Sequence, residues 1–266
     1  MLWEEITTTD LKEAAATHGV CVLPLGICEK HGNHLPLGTD MIIARGVAKE
    51  ATKIEPAVVF PQYYLSQGRE CRHYAGCISA SLELIMAALQ EMCDEIARNG
   101  FKKILILNGH GGNNGFVNFF GFKTLGLNKD YTVYVNSLYD VTPERQARIE
   151  HCTKGAPLDH AGQLETSLVM HLRPDLVHIE RQDVAEGHNQ GRAKHLDDLK
   201  VFTGLNWYGS YPRHYGGNHK SATADLGKSI FDIYVEHASE VIREIKADTV
   251  LPAFFEEHNK LVRNPL

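Results

Sequence analysis

Short apolar runs alternate with longer segments of helical periodicity along most of the chain. Val20 to Leu25 is a β-branched, apolar run closed by Gly26 and reads as a buried strand. Met41 to Thr52 reads as a helix, and Ala57 to Phe60 as a second strand stopped by Pro61. The clearest helix is Leu82 to Arg98, where Leu82, Ile85, Met86, Leu89, Met92, Cys93 and Ile96 recur at helical spacing before an Asn99-Gly100 stop. Lys103 to Asn108 follows, apolar on both faces as a central parallel strand is. Asn114 to Leu125 reads as helix, Tyr131 to Asn136 as strand, and Gly162 to Leu172 and Ala222 to Lys246 as further helices.

Strands separated by helices of this length imply βαβ units. The expected fold is therefore α/β, with a mostly parallel central sheet and helices on both faces. No linker, low-complexity tract or internal repeat interrupts the chain, so residues 1–266 are expected to form a single domain. In such sheets ligands bind just beyond the carboxyl ends of the strands.

Composition narrows the classes. Hydrophobic residues make up 43% and charged residues 23%, the balance of a globular protein with a core large enough to fold without metal or disulfide staples. With a net charge of −6 and no basic stripe, the chain lacks the footprint of a nucleic-acid binder. It opens without a signal peptide and has no apolar run long enough to span a bilayer, so a cytoplasmic location with no membrane partner is expected. Six cysteines without a Cys-x-x-Cys pair make neither a zinc ribbon nor a disulfide framework. Fifteen histidines are the unusual feature, and three clusters of them fall past strand ends or into a helix start.

The first cluster runs from Glu29 to Asp40. Glu29 and His31 point to one side of an extended backbone, and Asp40 returns after the Pro36–Gly38 turn. Carboxylate and imidazole are both good ligands for first-row metals. Taken singly, Asp40 fits equally well as the N-cap of the following helix, and Glu29 with His31 as a surface hydrogen bond. His34 reads as a supporting or structural histidine. The second cluster, Gly109-His110-Gly111-Gly112-Asn113-Asn114, brackets one histidine with glycines that allow close approach of backbone to ligand. It reads as a tight turn or a ligand loop, and its spacing matches neither the P-loop nor the dinucleotide fingerprint. The third, Asp159-His160-Ala161-Gly162-Gln163-Leu164-Glu165, leads into a helix, where Glu165 could serve only the helix dipole and His160 could be a surface residue. Three such clusters at matching topological positions point to one site.

These motifs resemble the creatininase (creatinine amidohydrolase) family: Glu-x-His-Gly-x-His-Leu-Pro-Leu-Gly-Thr-Asp at 29–40, Asn-Gly-His-Gly-Gly-Asn at 108–113, His-Ala-Gly-x-x-Glu-Thr-Ser at 160–167, and more weakly Ser221 to Gly227. The resemblance implies a three-layer α/β/α sandwich and two divalent ions, zinc, manganese or iron. It also implies a homo-oligomer such as a hexamer, and hydrolysis of a C–N bond in a small cyclic or linear amide. By position, Glu29, Asp40 and His110 would hold one metal, and His31 with a bridging Asp40 the second. Creatinine-hydrolysing members have a glutamate where this chain has Gly112, and Glu165 is the candidate to replace it. His160 or Asp159 would handle the proton, and Gly111, Gly112 and Glu70 would lie against substrate. Lys30, Glu70-Cys71-Arg72-His73 and Gly155-Ala156-Pro157 depart from the family pattern on the substrate side. The resemblance thus carries over the chemistry more firmly than creatinine itself. The aromatic stretch Trp207, Tyr208, Tyr211 and Tyr215 reads as a subunit interface or a pocket wall, with the interface favoured.

Overall fold

The computed structural model describes residues 1–156 and 160–265. Four parallel strands form its sheet in the order β2-β1-β3-β4: β1 Val20–Leu25, β2 Val58–Val59, β3 Lys103–Asn108 and β4 Thr132–Ser137. β1 and β3 pair along their whole length, from Val20 opposite Lys103 to Leu25 opposite Asn108. The expected strand at Ala57 to Phe60 shrinks to two paired residues because Pro61 breaks the ladder. Pro24 lies inside the central strand β1 and is tolerated there because it faces this broken edge, where its carbonyl accepts from Tyr63 N–H.

Alternation along the strands builds two cores. Val20, Val22, Leu105 and Leu107 face one side, and Cys21, Leu23, Leu25, Ile104 and Ile106 face the other. On the first side pack α2 (Thr39–Ile54), α6 (Gln163–Leu172) and α9 (Ala224–Ala247), with α5 (Pro143–Thr153) against α9. On the second pack α1 (Thr8–His18), α3 (Leu82–Arg98) and α4 (Asn114–Leu125). The result is a three-layer α/β/α sandwich. α3 begins where expected because Ser81 caps it, its hydroxyl accepting from Leu84 N–H. The short helices α7 (Lys194–Asp197) and α8 (Asn206–Ser210) lie in the long connection before α9, and α10 (Val250–Arg263) ends the chain.

Besides the short α7 and α8, three of these helices fall outside the expected elements. α1 is alanine-rich and buries only Ala14 and Ala15, while α5 is mostly charged and polar and buries only Ile149 and Thr153. α10 buries none of its residues. Caps fix the first two: Thr7 and Asp10 form a reciprocal capping box, and Thr142 caps α5 directly before Pro143. Among the described residues no helix is long and apolar enough to cross a membrane.

α6 and α9 make the closest helix contact, and it locates the third histidine cluster. At Gly227 of α9 an added Cβ would lie 1.8 Å from the Ser167 carbonyl oxygen of α6. The glycine in the Ser221–Gly227 motif is therefore a packing requirement. Gly227→Ala is expected to lower unfolding free energy by about 2 kcal/mol or more, measured by urea titration; an unchanged midpoint would show that the two helices separate freely.

Candidate metal centre

β1 and β3 end side by side, and the chain leaving each one turns inward. Past Leu25 it delivers Glu29 and His31, and past Asn108 it delivers His110, all buried. Asp40 arrives from the first turn of α2. The residue at the N-cap position is Gly38, and the Asp40 side chain caps nothing, so the capping reading of Asp40 fails. It is seated by close approach: a Cβ at Gly109 would stand 2.8 Å from Ala44 Cβ and 3.0 Å from the Asp40 carbonyl. Glu165 sits in the first turn of α6, where its Oε2 accepts from Ala161 N–H at 2.6 Å and its Oε1 from the Tyr139 hydroxyl at 3.3 Å.

Asp40 stands between two histidines. Its Oδ1 lies 3.0 Å from His31 Nε2 and its Oδ2 lies 2.9 Å from His110 Nδ1. His110 Nδ1 is also 3.1 Å from Glu29 Oε1, and His31 Nε2 is 3.7 Å from Glu165 Oε2. Glu29, Asp40 and His110 thus form one group with ligand atoms close enough for a single cation, and His31, Asp40 and Glu165 form another. Glu29 Oε1 and Asp40 Oδ2 are buried and make no hydrogen bond despite their nearness to His110, so their lone pairs and the ring nitrogen face a common point.

The far side of each ring reinforces this. His31 Nδ1 lies 3.3 Å from the Glu29 carbonyl and His110 Nε2 lies 3.1 Å from the Gln67 carbonyl. A carbonyl only accepts, so each of these nitrogens carries a proton, and the opposite nitrogen is the one turned toward the point a cation would take. His160 follows the same rule: its Nε2 donates to the Lys30 carbonyl at 2.9 Å, and its Nδ1 faces Glu29 Oε1 at 3.8 Å. Its ring packs 4.2 Å from that of His31.

Three carboxylates buried this closely need positive charge. Among the described residues no lysine or arginine pairs with Glu29, Asp40 or Glu165, so the compensation falls to histidine or a bound cation. Burial alone would lower the His31 pKa, but Asp40, Glu165 and Glu29 overrule it and push it up to about 10. Burial lifts Glu165 to about 7 against the attraction of His31. Burial also drives His160 down to about 3, helped by His31.

Of the expected site residues, Glu29, His31, Asp40, His110, Glu165 and His160 converge. Asp159 lies outside the described residues. Gly111 and Gly112 are exposed at the rim, and Gln67 Nε2 ties the two sides together by donating to the Gly112 carbonyl at 3.2 Å and to Glu70 Oε1 at 3.3 Å. At Gly112 an added Cβ would sit 2.5 Å from His110 Nε2, so a larger residue cannot stand there without moving that ring. His34 stacks on His219 at 4.3 Å and bonds Thr166, a supporting position. The favoured interface location for the aromatic stretch does not describe all of it. Trp207 packs edge-on against His160 at 5.5 Å, and Tyr215 is fully buried. His214 and Tyr139 reach the site from far along the chain and carry no local motif.

The family comparison agrees with this arrangement of motifs. The Creatininase family, described as creatinine amidohydrolase, matches residues 4–242. The chain belongs to the creatininase family. It is 30% identical to the creatinine amidohydrolase of Pseudomonas putida over 185 residues, 64% of this chain and 71% of that protein. It is also 30% identical to the mycofactocin precursor peptide peptidase of Mycobacterium tuberculosis over 187 residues, 66% and 68% of the two chains. Similarity to the 3-dehydro-scyllo-inosose hydrolase of Thermotoga maritima is lower, 22%, but covers 91% of this chain and 83% of that one. Among solved structures, a candidate creatinine amidohydrolase of Bacteroides fragilis superposes with a TM-score of 0.78 at 25% identity, covering 94% and 98%. A manganese creatininase superposes at 0.75 with 24% identity, covering 91% and 97%, which speaks to the fold alone. This creatininase-family chain is a hydrolase with a candidate metal-binding cluster at its strand ends.

Gly112→Ala is expected to displace His110 and weaken cation binding about tenfold, read as occupancy by elemental analysis after dialysis in metal buffers. Unchanged occupancy would show slack around that ring.

Proposed function

We propose that this chain is a dinuclear metal-dependent amidohydrolase that cleaves the C–N bond of a small cyclic or linear amide. The observation that carries the reading is the shared Asp40. One oxygen serves a group with Glu29 and His110, the other a group with His31 and Glu165. Carboxylate and imidazole donors suit zinc, manganese or iron. Support from similarity comes from a creatininase structure described with manganese and another described as Zn–Zn type.

A pair of divalent cations held there supplies an acidified water and Lewis-acid polarisation of an amide carbonyl. The chain's own residues do the rest. His160 keeps its Nε2 proton on the Lys30 carbonyl and offers Nδ1 to the same space, so it is placed to take a proton and return it to the leaving nitrogen. Asp159, its neighbour in sequence, is the alternative for that proton. Trp207 walls the ring of His160 on one side, and Gly111, Gly112 and Glu70 line the open rim where the substrate enters. Glu165 takes the place that a glutamate at position 112 would have, and the crowding around Gly112 supports that exchange.

The substrate reading is an amide other than creatinine. A short modified peptide or a formamide is the second choice, favoured by the similarity to a precursor peptide peptidase. A metal-binding protein without turnover is the remaining alternative. A homo-oligomeric working form is part of this reading, and Phe119 and Phe122, 65% and 71% exposed on α4, support association of some kind.

Elemental analysis tests the reading. Wild type is expected to hold about two equivalents of divalent metal, and His110→Ala, Asp40→Ala and Glu165→Ala to hold fewer. No stoichiometric metal after reconstitution would overturn it. A screen of small amides with the loaded protein separates enzyme from binding protein, since only an enzyme converts a linear amide to carboxylate and amine or opens a cyclic one. His110→Ala is expected to lose turnover yet unfold within a few degrees of wild type, because both cores lie outside the cluster. A collapse of the fold in that variant would make the cluster structural.

A further inference from the structure

Three histidines around the cluster turn toward the carboxylates a nitrogen whose opposite number is held by a backbone carbonyl, and the fourth is held differently. His31, His110 and His160 each have their far nitrogen on a backbone carbonyl. His214, only 3% exposed, has its Nδ1 on a donor instead: the indole N–H of Trp207, at 3.2 Å. An indole nitrogen donates and never accepts. Nδ1 must therefore be the unprotonated nitrogen, and the proton sits on Nε2. That nitrogen lies 3.2 Å from Glu29 Oε2.

We propose that His214 is a positioning residue for Glu29: Trp207 fixes its tautomer, its Nε2–H holds Glu29 Oε2, and Oε1 is left turned toward His110 and Asp40. A carboxylate free to rotate could offer either oxygen, or both, to a cation. Held by one oxygen, it offers the other in a set direction. The assignment also settles a neighbouring cluster. Glu29, Cys71 and His214 bring ligand atoms close enough for a cation of their own. With a proton on His214 Nε2, and with the Cys71 thiol donating to the Gly68 carbonyl at 3.0 Å, that group has no free nitrogen or sulfur to ligate. It is a hydrogen-bonded brace beside the metal centre. Trp207 joins both parts of the site, since it packs against His160 as well as binding His214. No spacing in the sequence links these residues: 185 positions separate His214 from Glu29.

This inference rests on the dinuclear reading for its effect on metal, but its tautomer is decided separately. Long-range proton–nitrogen spectra of the full-length protein, as purified and after addition of Zn²⁺, are expected to show His214 protonated at Nε2 and bare at Nδ1. A proton on Nδ1 overturns the proposal whether or not the chain binds metal. For the metal, Zn²⁺ and Mn²⁺ affinities are measured by chelator competition. His214→Leu is expected to bind about 10- to 100-fold more weakly, the usual cost of losing such a partner. His214→Gln keeps an amide donor within reach of Glu29 and is expected to recover most of that loss. Trp207→Phe keeps the ring but loses the N–H, and is expected to weaken binding in the same direction with melting temperature held. Cys71→Ser is expected to leave metal stoichiometry unchanged. Wild-type affinity in His214→Leu, equal loss in His214→Gln and His214→Leu, or a lost metal equivalent in Cys71→Ser would each overturn the proposal. A wild-type chain that takes up no metal would sink the dinuclear reading instead, with the spectra still deciding the tautomer.

Discussion

The structure around the strand ends depends on one constraint: Glu29, Asp40 and Glu165 are buried together, and among the described residues no lysine or arginine pairs with them. Placing three carboxylates out of water costs several kcal/mol each unless positive charge and hydrogen bonds offset it. The fold responds by surrounding them with imidazoles. The rings of His31 and His110 are pinned by their far nitrogens, so the near nitrogen can bear either a proton or a bond to a cation. The ring that holds a proton in the metal-free chain is the ring that would ligate the metal, which couples metal uptake to proton release. A site built in this way is costly to leave without positive charge.

The sandwich supplies the means. Two adjacent parallel strands end at one level, so the chain beyond each can turn into the same small volume. α2 brings Asp40 in from above because Gly109 leaves no side chain in its path, and α6 brings Glu165 because Gly227 lets α9 press against it. Stability and function are thereby kept in separate places. Two apolar cores on either face of the sheet hold the scaffold, and the polar cluster at the sheet edge carries the charge.

Much of this was legible in the residues themselves. Leu82–Arg98, Val20–Leu25 and Lys103–Asn108 form over the expected ranges, because an apolar period of 3.6 or an unbroken apolar run states its own burial. The metal-type ligands were legible for another reason. Glu29, His31 and Asp40, or Gly109 to Asn113, are near in sequence, so a local backbone path brings each set together and leaves a readable spacing. α1 and α5 were not legible, since helices that bury only two residues each need no apolar stripe.

Only the tertiary structure decided how the pieces meet. Asp40 could have been a helix cap and Glu165 a dipole partner, and local chemistry favoured neither reading over a ligand. Contact across the sheet edge settled where they sit, by closing both carboxylates onto His31 and His110. Trp207, His214 and Tyr139 reach the cluster through long connections whose course depends on packing elsewhere, so nothing in their immediate neighbourhood announces them. The sequence by itself determined the strands, the helices with a buried face and the chemical type of the site. The pairing of donors with acceptors, down to which nitrogen of each ring holds the proton, came only from three-dimensional contact, because a hydrogen bond depends on distance in space and not on separation along the chain.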